Sequence, residues 1–532
     1  MLDILIRNGW IADGTGNPTY PANVAVEGDR IVDVGRLEGA EAQRIVDATA
    51  KIVCPGFIDT HSHSDRTILA NPTAQSTVRQ GVTTEIVGNC GASPAPLTGA
   101  TRAGQESAQR ALGYDGPVAW SSFAQFLDHV ARTGTSINLG WLVGHNTVRF
   151  AAGLLGEAFT AQQMGAMQAH VREAMEAGAL GLSTGLEFEP GRRASTEEVV
   201  RLAQVVGEYD GYYASHIRNR AKFVQEAIEE FLDIVRRSGT RGQVSHLNVR
   251  YNTGEAEDAW ERAVETIARA RREGLDVAAD CTPFQDGGGG PTAILPAWVT
   301  VEGPARAAEY LQDRDVRARL RTQCDRYWAF IHRGDFHRVR ISRSERHPEL
   351  VGKNLVQIAQ MWDVHPWDAL FDLFVMALKG EDHIGYIGRL FTEEHVIEQI
   401  THPLINLSVD AATSAIEGPL AKFYVHPLPY AGMIHYLTHW VREKHVLRLE
   451  DAIRKMTSMC ATRFGLRDRG LVRAGAYADL VVFDYQALDD VSTIEQPLAY
   501  CRGVEYVLVN GQLVVDAGEH TGARPGRNLS YS

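Results

Sequence analysis

Cysteine is scarce in this chain, six among 532 residues and without tight spacing, which excludes the disulfide framework of a small secreted scaffold. Positive charge is also short. The 53 Lys and Arg against 66 Asp and Glu leave a net charge of −13, which argues against a nucleic-acid partner or an anionic membrane surface. No apolar run approaches the roughly 20 residues of a membrane-spanning helix, so no membrane partner is expected. Met1-Leu2-Asp3-Ile4-Leu5-Ile6-Arg7-Asn8 has no basic segment ahead of a long apolar one, so the expectation is no secretory leader and a cytoplasmic location. What is present, 44% hydrophobic and 22% charged residues, is the composition of a globular protein. The length exceeds one ordinary core and suits a barrel with insertions plus a companion domain.

The two ends read as strands and turns. Asp3–Arg7, Val24–Glu27, Arg30–Val34 and Gln43–Asp47 are apolar or alternating stretches parted by Asn17-Pro18 and Gly28-Asp29. Near the other end, Asp479–Asp484 and Val504–Val515 read as strands, with Asn510-Gly511 as a tight hairpin. Residues 1–56 and 468–532 are therefore expected to pair into one small β-sandwich domain. The middle, 57–467, alternates amphipathic helices with short apolar strands: Ala161–Ala177, Ser195–Tyr209, Lys222–Ser238 and Glu257–Glu273 each precede a strand that ends in a polar residue. That is the rhythm of a (β/α)8 TIM barrel of the α/β class. Residues from about 287 to 345 break it and are expected to be an insertion.

Catalytic groups of such barrels sit at the C-terminal ends of the strands, so the polar residues at those ends are the candidates. After the apolar run Lys51–Cys54 and the breaker Pro55-Gly56 come His61 and His63, two apart and thus on one face of a strand. Cys90 follows the strand around Gly81–Glu85, His216 closes Tyr212–His216, His246 closes Gln243–His246, and Asp410 closes Leu404–Asp410. Four imidazoles, a thiol and a carboxylate at one barrel mouth make a nitrogen, sulfur and oxygen donor set suited to zinc. A cysteine thiolate can bridge two metals, and Asp410 is placed to act as general base.

Gly56–His63, read Gly-Phe-Ile-Asp-x-His-x-His, resembles the opening of the amidohydrolase superfamily. Val87–Pro96 (Val-Gly-Asn-Cys-Gly-x-Ser-Pro-Ala-Pro), Val143–Arg149, Gly181–Leu186, Leu449–Ser458, Arg463–Gly470, Ala478–Phe483 and Gly518–Arg527 resemble its D-aminoacylase branch, the N-acyl-D-amino-acid deacylases, over nearly the whole chain. The resemblance implies a metal-dependent hydrolase of amide C–N bonds acting on a small molecule. It implies Cys90, His216 and His246 as ligands of a tightly held Zn2+, His61 and His63 at a weaker or second metal position that Asp410 also reaches, and Asp410 as the catalytic acid/base. Cys90 takes the place of a carbamylated lysine. His145 lies in a family word and would orient the site or contact substrate, whereas His435 reads as a packing or rim residue.

The substrate words depart from the branch. Its lysine is Asn248, its Tyr-Pro-Tyr is Thr282-Pro283-Phe284, a tyrosine is Phe188, and its Pro-His-Pro-Arg is Val425-His426-Pro427-Leu428. Those family groups anchor a carboxylate, so Phe188, Asn248, Thr282, Phe284 and Leu428 describe a less polar pocket and a bulky or uncharged amide as substrate. The alternative is an N-acyl-D-amino acid, with Arg250, Arg218, Arg220 or Lys422 as a replacement anchor. A cyclic-amide or ester hydrolase is a second alternative. The metal count and the choice between monomer and homo-oligomer stay open.

Overall fold

The computed structural model describes residues 1–323, 326–422 and 426–530. Val425 of the altered family word, Cys324 and Asp325 of the expected insertion, and Tyr531 and Ser532 of the expected sandwich lie outside the described residues.

Eight parallel strands follow one another in space in chain order: β1 (Phe57–Asp59), β2 (Val82–Val87), β3 (Asn138–Gly144), β4 (Gly181–Gly185), β5 (Tyr212–His216), β6 (Arg241–Val244), β7 (Val277–Cys281) and β8 (Ile405–Leu407). β2, β3, β4 and β5 are buried along their whole length, as parallel strands covered by helices outside and side chains inside must be. The ring closes just beyond the ends of β1 and β8. There Ser62 bridges Ala411 in parallel, the Asp410 amide donates to the His61 carbonyl at 2.8 Å, and the His63 amide donates to the Ala411 carbonyl at 2.8 Å. The seam that completes the barrel is thus built from the segment that carries His61, His63 and Asp410.

The outer helices begin where the sequence offers caps. Thr160 and Gln163 cap each other at the start of Ala161–Glu176, and Ser195 accepts the Glu198 amide at the start of Thr196–Gly207. Both chain ends supply one further nine-stranded sheet. Leu2–Ile11 pairs with Tyr20–Glu27 on one edge, and on the other first with Ala42–Asp47 and then with Ile52–Pro55, which in turn pairs with Leu480–Phe483. That change of partner along one strand lets the sheet wrap a core of Ile4, Ile6, Val24, Val53, Leu480 and Leu508. Asn528–Leu529 leaves this unit and pairs with β3 of the barrel.

The rhythm breaks after β7 and resumes only with the helix Glu393–Thr401, later than the expected end near 345. The helices Leu355–Trp362 and Pro366–Leu378 look like barrel helices in sequence but belong to this excursion. It is tied together by an antiparallel sheet in which Gly385–Arg389 lies between Asp286–Gly289 and Val339–Arg343. The glycine run is part of that sheet. The buried Trp328 ring lies flat on it, and a Cβ at Gly289 would meet the indole at 2.2 Å.

Candidate active site

At the mouth of the barrel the Cys90 Sγ lies 3.4 Å from His61 Nε2, 3.7 Å from His216 Nδ1 and 3.5 Å from His246 Nε2. Bonds of about 2.3 Å to sulfur and 2.1 Å to nitrogen in tetrahedral geometry put the two donors about 3.6 Å apart, so these separations fit one zinc-sized ion. Asp410 Oδ1 stands 3.2 Å from His63 Nε2 and 3.5 Å from His61 Nε2, a second group that could hold a cation. His61 belongs to both groups, as a residue between two metal positions would.

The backbone is shaped for this convergence. Cys90, His246 and Asp410 have φ of 52°, 37° and 59°, the left-handed region that non-glycine residues seldom occupy and that costs of order 1–3 kcal/mol each. Burial holds the rings neutral: it pushes His61 down to about 3 and His216 to about 4, and it puts His246 well below its ordinary value. Neutral imidazole is the form that binds a metal. Burial, with the Asp410 charge adding to it, pushes the Cys90 thiol up, so a cation is what would ionise it. Burial alone would raise the Asp410 carboxyl, but the hydrogen bond from His63 and the Arg220 charge work against it, and Asp410 lies below the ordinary carboxylate range.

Behind these groups lies a second layer. His216 Nε2 meets Glu187 Oε2 at 2.7 Å, and Glu187 is held by Arg250 through two bonds of 2.7 and 2.8 Å. Arg220 Nη1 donates to His246 Nδ1 at 2.8 Å. Asp280, at the end of β7, accepts the His246 amide at 2.7 Å and stands 3.6 Å from His61 Nδ1. Burial pushes Asp280 up to about 6.

A two-lobed cavity opens over the cluster, with lobes of about 650 and 470 Å³ that share His63, Arg66, Arg220, His246, Tyr327 and Asp410 in their walls. Asn248, Thr282 and Leu428 line the larger lobe and Phe188 the smaller, where its ring is 4.4 Å from that of His216. Asn248 also donates to the His246 carbonyl at 2.6 Å.

Three expected substrate contacts lie elsewhere. Arg250 is fully buried against Glu187 and lines neither lobe. His145 is buried against Glu198 at 2.8 Å, beside Arg149. Phe284 stacks on His435 at 4.2 Å outside the lining of either lobe. Arg218 is bound to Glu230 and Lys422 is paired with Glu345 at 3.8 Å. Sequence reasoning passed over Arg66, Tyr327, Glu187 and Asp280. Asp280 ends a barrel strand, the signal that found His216 and His246, and Glu187 follows directly on Gly181–Leu186.

The sequence model described as "Amidohydrolase family" matches residues 44–322 and 419–515. An N-acyl-D-glutamate deacylase of Alcaligenes xylosoxydans xylosoxydans is 34% identical over 534 residues, 99% of this chain and 96% of that protein. A D-aminoacylase of the same organism is 30% identical over 529 residues, 99% of this chain and 97% of that one. Among solved structures, the N-acyl-D-glutamate deacylase of Bordetella bronchiseptica, in complex with zinc and a phosphonate mimic of the tetrahedral intermediate, superposes with a TM-score of 0.79 at 32% identity over 99% of both chains. A D-aminoacylase with a binuclear metal centre superposes with 0.79 at 30% identity over the whole of both chains. Sequence, barrel and donor cluster agree: this chain belongs to the amidohydrolase family, in its D-aminoacylase branch, and is a metal-dependent hydrolase of amide C–N bonds.

Proposed function

We propose that this enzyme is a zinc-dependent N-acyl-D-amino-acid deacylase, releasing a D-amino acid and a carboxylic acid. The observation that carries the reading is the Cys90, His216 and His246 cluster beside Asp410, in a chain 30–34% identical along its length to deacylases of N-acyl-D-glutamate and N-acyl-D-aspartate and to a D-aminoacylase. Zinc held by Cys90, His216 and His246 supplies activation of a water molecule and polarisation of the amide carbonyl. Asp410, one-third exposed and ionised, takes the proton of the attacking water and delivers it to the departing amine nitrogen. Glu187 accepts from His216 Nε2 and so keeps the Nδ1 lone pair aimed at the cluster.

The substrate carboxylate needs a cation, and Arg220 and Arg66 meet that need in the cavity wall. When His246 Nε2 serves a metal its ring proton sits on Nδ1, and Arg220, itself only a donor, loses that bond but keeps the His246 carbonyl at 3.2 Å and Glu187 at 3.8 Å, with its remaining N–H groups in the cavity wall. Arg66 is exposed and makes no ion pair among the described residues. The guanidiniums of Arg66, Arg220 and Arg343 and the Lys422 ammonium in the wall favour the free acid over the bulky or uncharged amide expected from Phe188, Thr282 and Leu428. The test is turnover by zinc-loaded enzyme on N-acetyl-D-amino acids, their L-enantiomers and their carboxamides. Preference for the D free acids by about 100-fold or more is expected; preference for the carboxamides overturns the reading.

A further inference from the structure

Beside the two-lobed cavity lies a further cleft of about 1040 Å³, between the helix Gly99–Ala111 and the turn Gly418-Pro419. Its lining mixes short apolar residues, Ala92, Pro94, Ala108, Ala111, Leu112 and Pro419, which supply most of the exposed wall, with polar side chains such as Asp65, Gln105 and Gln109. Nothing in the chemistry proposed above uses it, and it matches the roughly 300–1,000 Å³ that accommodates a complete drug-sized ligand. It is not isolated. Arg66 belongs to the walls of the cleft and of both lobes, Ala92 and Thr147 are shared with the lobe that holds Cys90, and His383 and Lys422 are shared with the larger lobe. Ala92 is two residues from Cys90 in the chain. The cleft therefore begins at the reacting centre, is basic at that end, and runs away from it between alanines and prolines.

A substrate amide has two arms. The amino-acid arm carries the carboxylate and belongs with Arg220 and Arg66. The acyl arm must leave the centre in another direction, and an acetyl group would leave the cleft vacant. The geometry points to a long aliphatic acyl chain lying in this cleft, so that the preferred substrates are long-chain N-acyl-D-amino acids, with Arg66 at the junction between the charged arm and the apolar one. This rests on the deacylase reading and narrows it to a substrate class. Alanine at 108 and 111 is what makes room: both are exposed on the helix face toward the cleft, and a large ring at either would occupy it.

The experiment is a chain-length series of N-acyl-D-alanines, acetyl, butanoyl, octanoyl and dodecanoyl, on wild-type zinc-loaded enzyme and on Ala108→Trp and Ala111→Trp. Each buried methylene is worth about fourfold, so kcat/KM is expected to climb at least 100-fold from acetyl to octanoyl. The ratio of dodecanoyl to acetyl should fall tenfold or more in either variant. Binding of dodecanoate, followed by titration calorimetry, reads the cleft without turnover and should be weakened at least tenfold in both variants. A flat series on an enzyme that cleaves N-acetyl-D-alanine overturns the acyl cleft and leaves the deacylase reading standing. An enzyme that cleaves neither these four compounds nor any N-acetyl-D-amino acid of the panel above overturns the deacylase reading and the substrate class with it, even where the variants weaken dodecanoate binding.

Discussion

Two buried His–Glu–Arg triads occupy this barrel, and they differ in what the imidazole faces. In one, His216, Glu187 and Arg250 come from three successive strand ends, and the free ring nitrogen of His216 is 3.7 Å from Cys90 Sγ. In the other, His145 and Arg149 are four apart on one short helix, both bonded to Glu198 in the first turn of Thr196–Gly207. The Nδ1 of His145 is buried without a partner. Both carboxylates are held below their ordinary range: burial would raise them, and their cationic partners outweigh it. The bonds are alike, so a buried charged triad does not by itself mark a reacting centre. What marks one is that the remaining nitrogen is aimed at other donors across an open cavity. The His145 triad pins a helix to its neighbour; the His216 triad orients an imidazole toward the Cys90 cluster.

Replacing the carboxylate beside the cluster that the first triad faces should have the largest effect. Asp410→Asn is expected to lower turnover by about 10²–10⁴-fold while zinc content, measured by atomic absorption, stays at the wild-type level; loss of the metal along with the activity would place Asp410 among its holders instead.

The two glutamates then separate the triads. Glu187→Gln should weaken zinc about 10–100-fold in a chelator competition, as loss of a group behind a metal ligand does. Glu198→Gln should leave zinc affinity alone and act on stability, where breaking a buried pair costs about 3–5 kcal/mol, seen as a lower Tm. Equal zinc weakening by both substitutions would erase the distinction.

The smallest effect is in pH. Burial holds the His145 pKa below its ordinary value near 6.5. Below that pH the unfolded chain takes up a proton that the native state refuses, so acidification costs native stability. Between pH 7 and pH 5 the wild type should lose more Tm than His145→Gln. Equal losses would mean that His145 charges in place against Glu198.

The candidate ligands were legible because strand ends carry a local signature: a polar residue closing an apolar run is visible in ten residues of sequence. His216, His246 and Asp410 have it, His61 and His63 stand two apart after a Pro-Gly breaker, Cys90 follows its strand, and the structure brings all six together. Arg250 looked like a substrate anchor because a cation near a barrel mouth is visible in sequence, whereas its neutralisation by Glu187, 63 residues away, is not. His145 drew notice from its family word, whereas its pairing with Glu198 beside Arg149 is visible only in three dimensions. The positive φ of Cys90, His246 and Asp410 had no marker at all, since glycine or asparagine is what normally announces that conformation. The excursion was read as too short because helices such as Pro366–Leu378 carry the same amphipathic pattern whether they pack on a barrel or on one another.

The sheet shared by the two chain ends sets a timetable for synthesis. Ile52–Pro55 pairs on one edge with Leu2–Ile11, available at once, and on the other with Leu480–Phe483, more than four hundred residues later. At about 5–20 residues per second, the ribosome leaves that edge waiting for tens of seconds. Throughout that interval the barrel emerges strand by strand beside a half-built sheet with an open ladder, the kind of edge that invites a neighbouring nascent chain. The last strands to be made therefore end the nascent chain's exposure to aggregation.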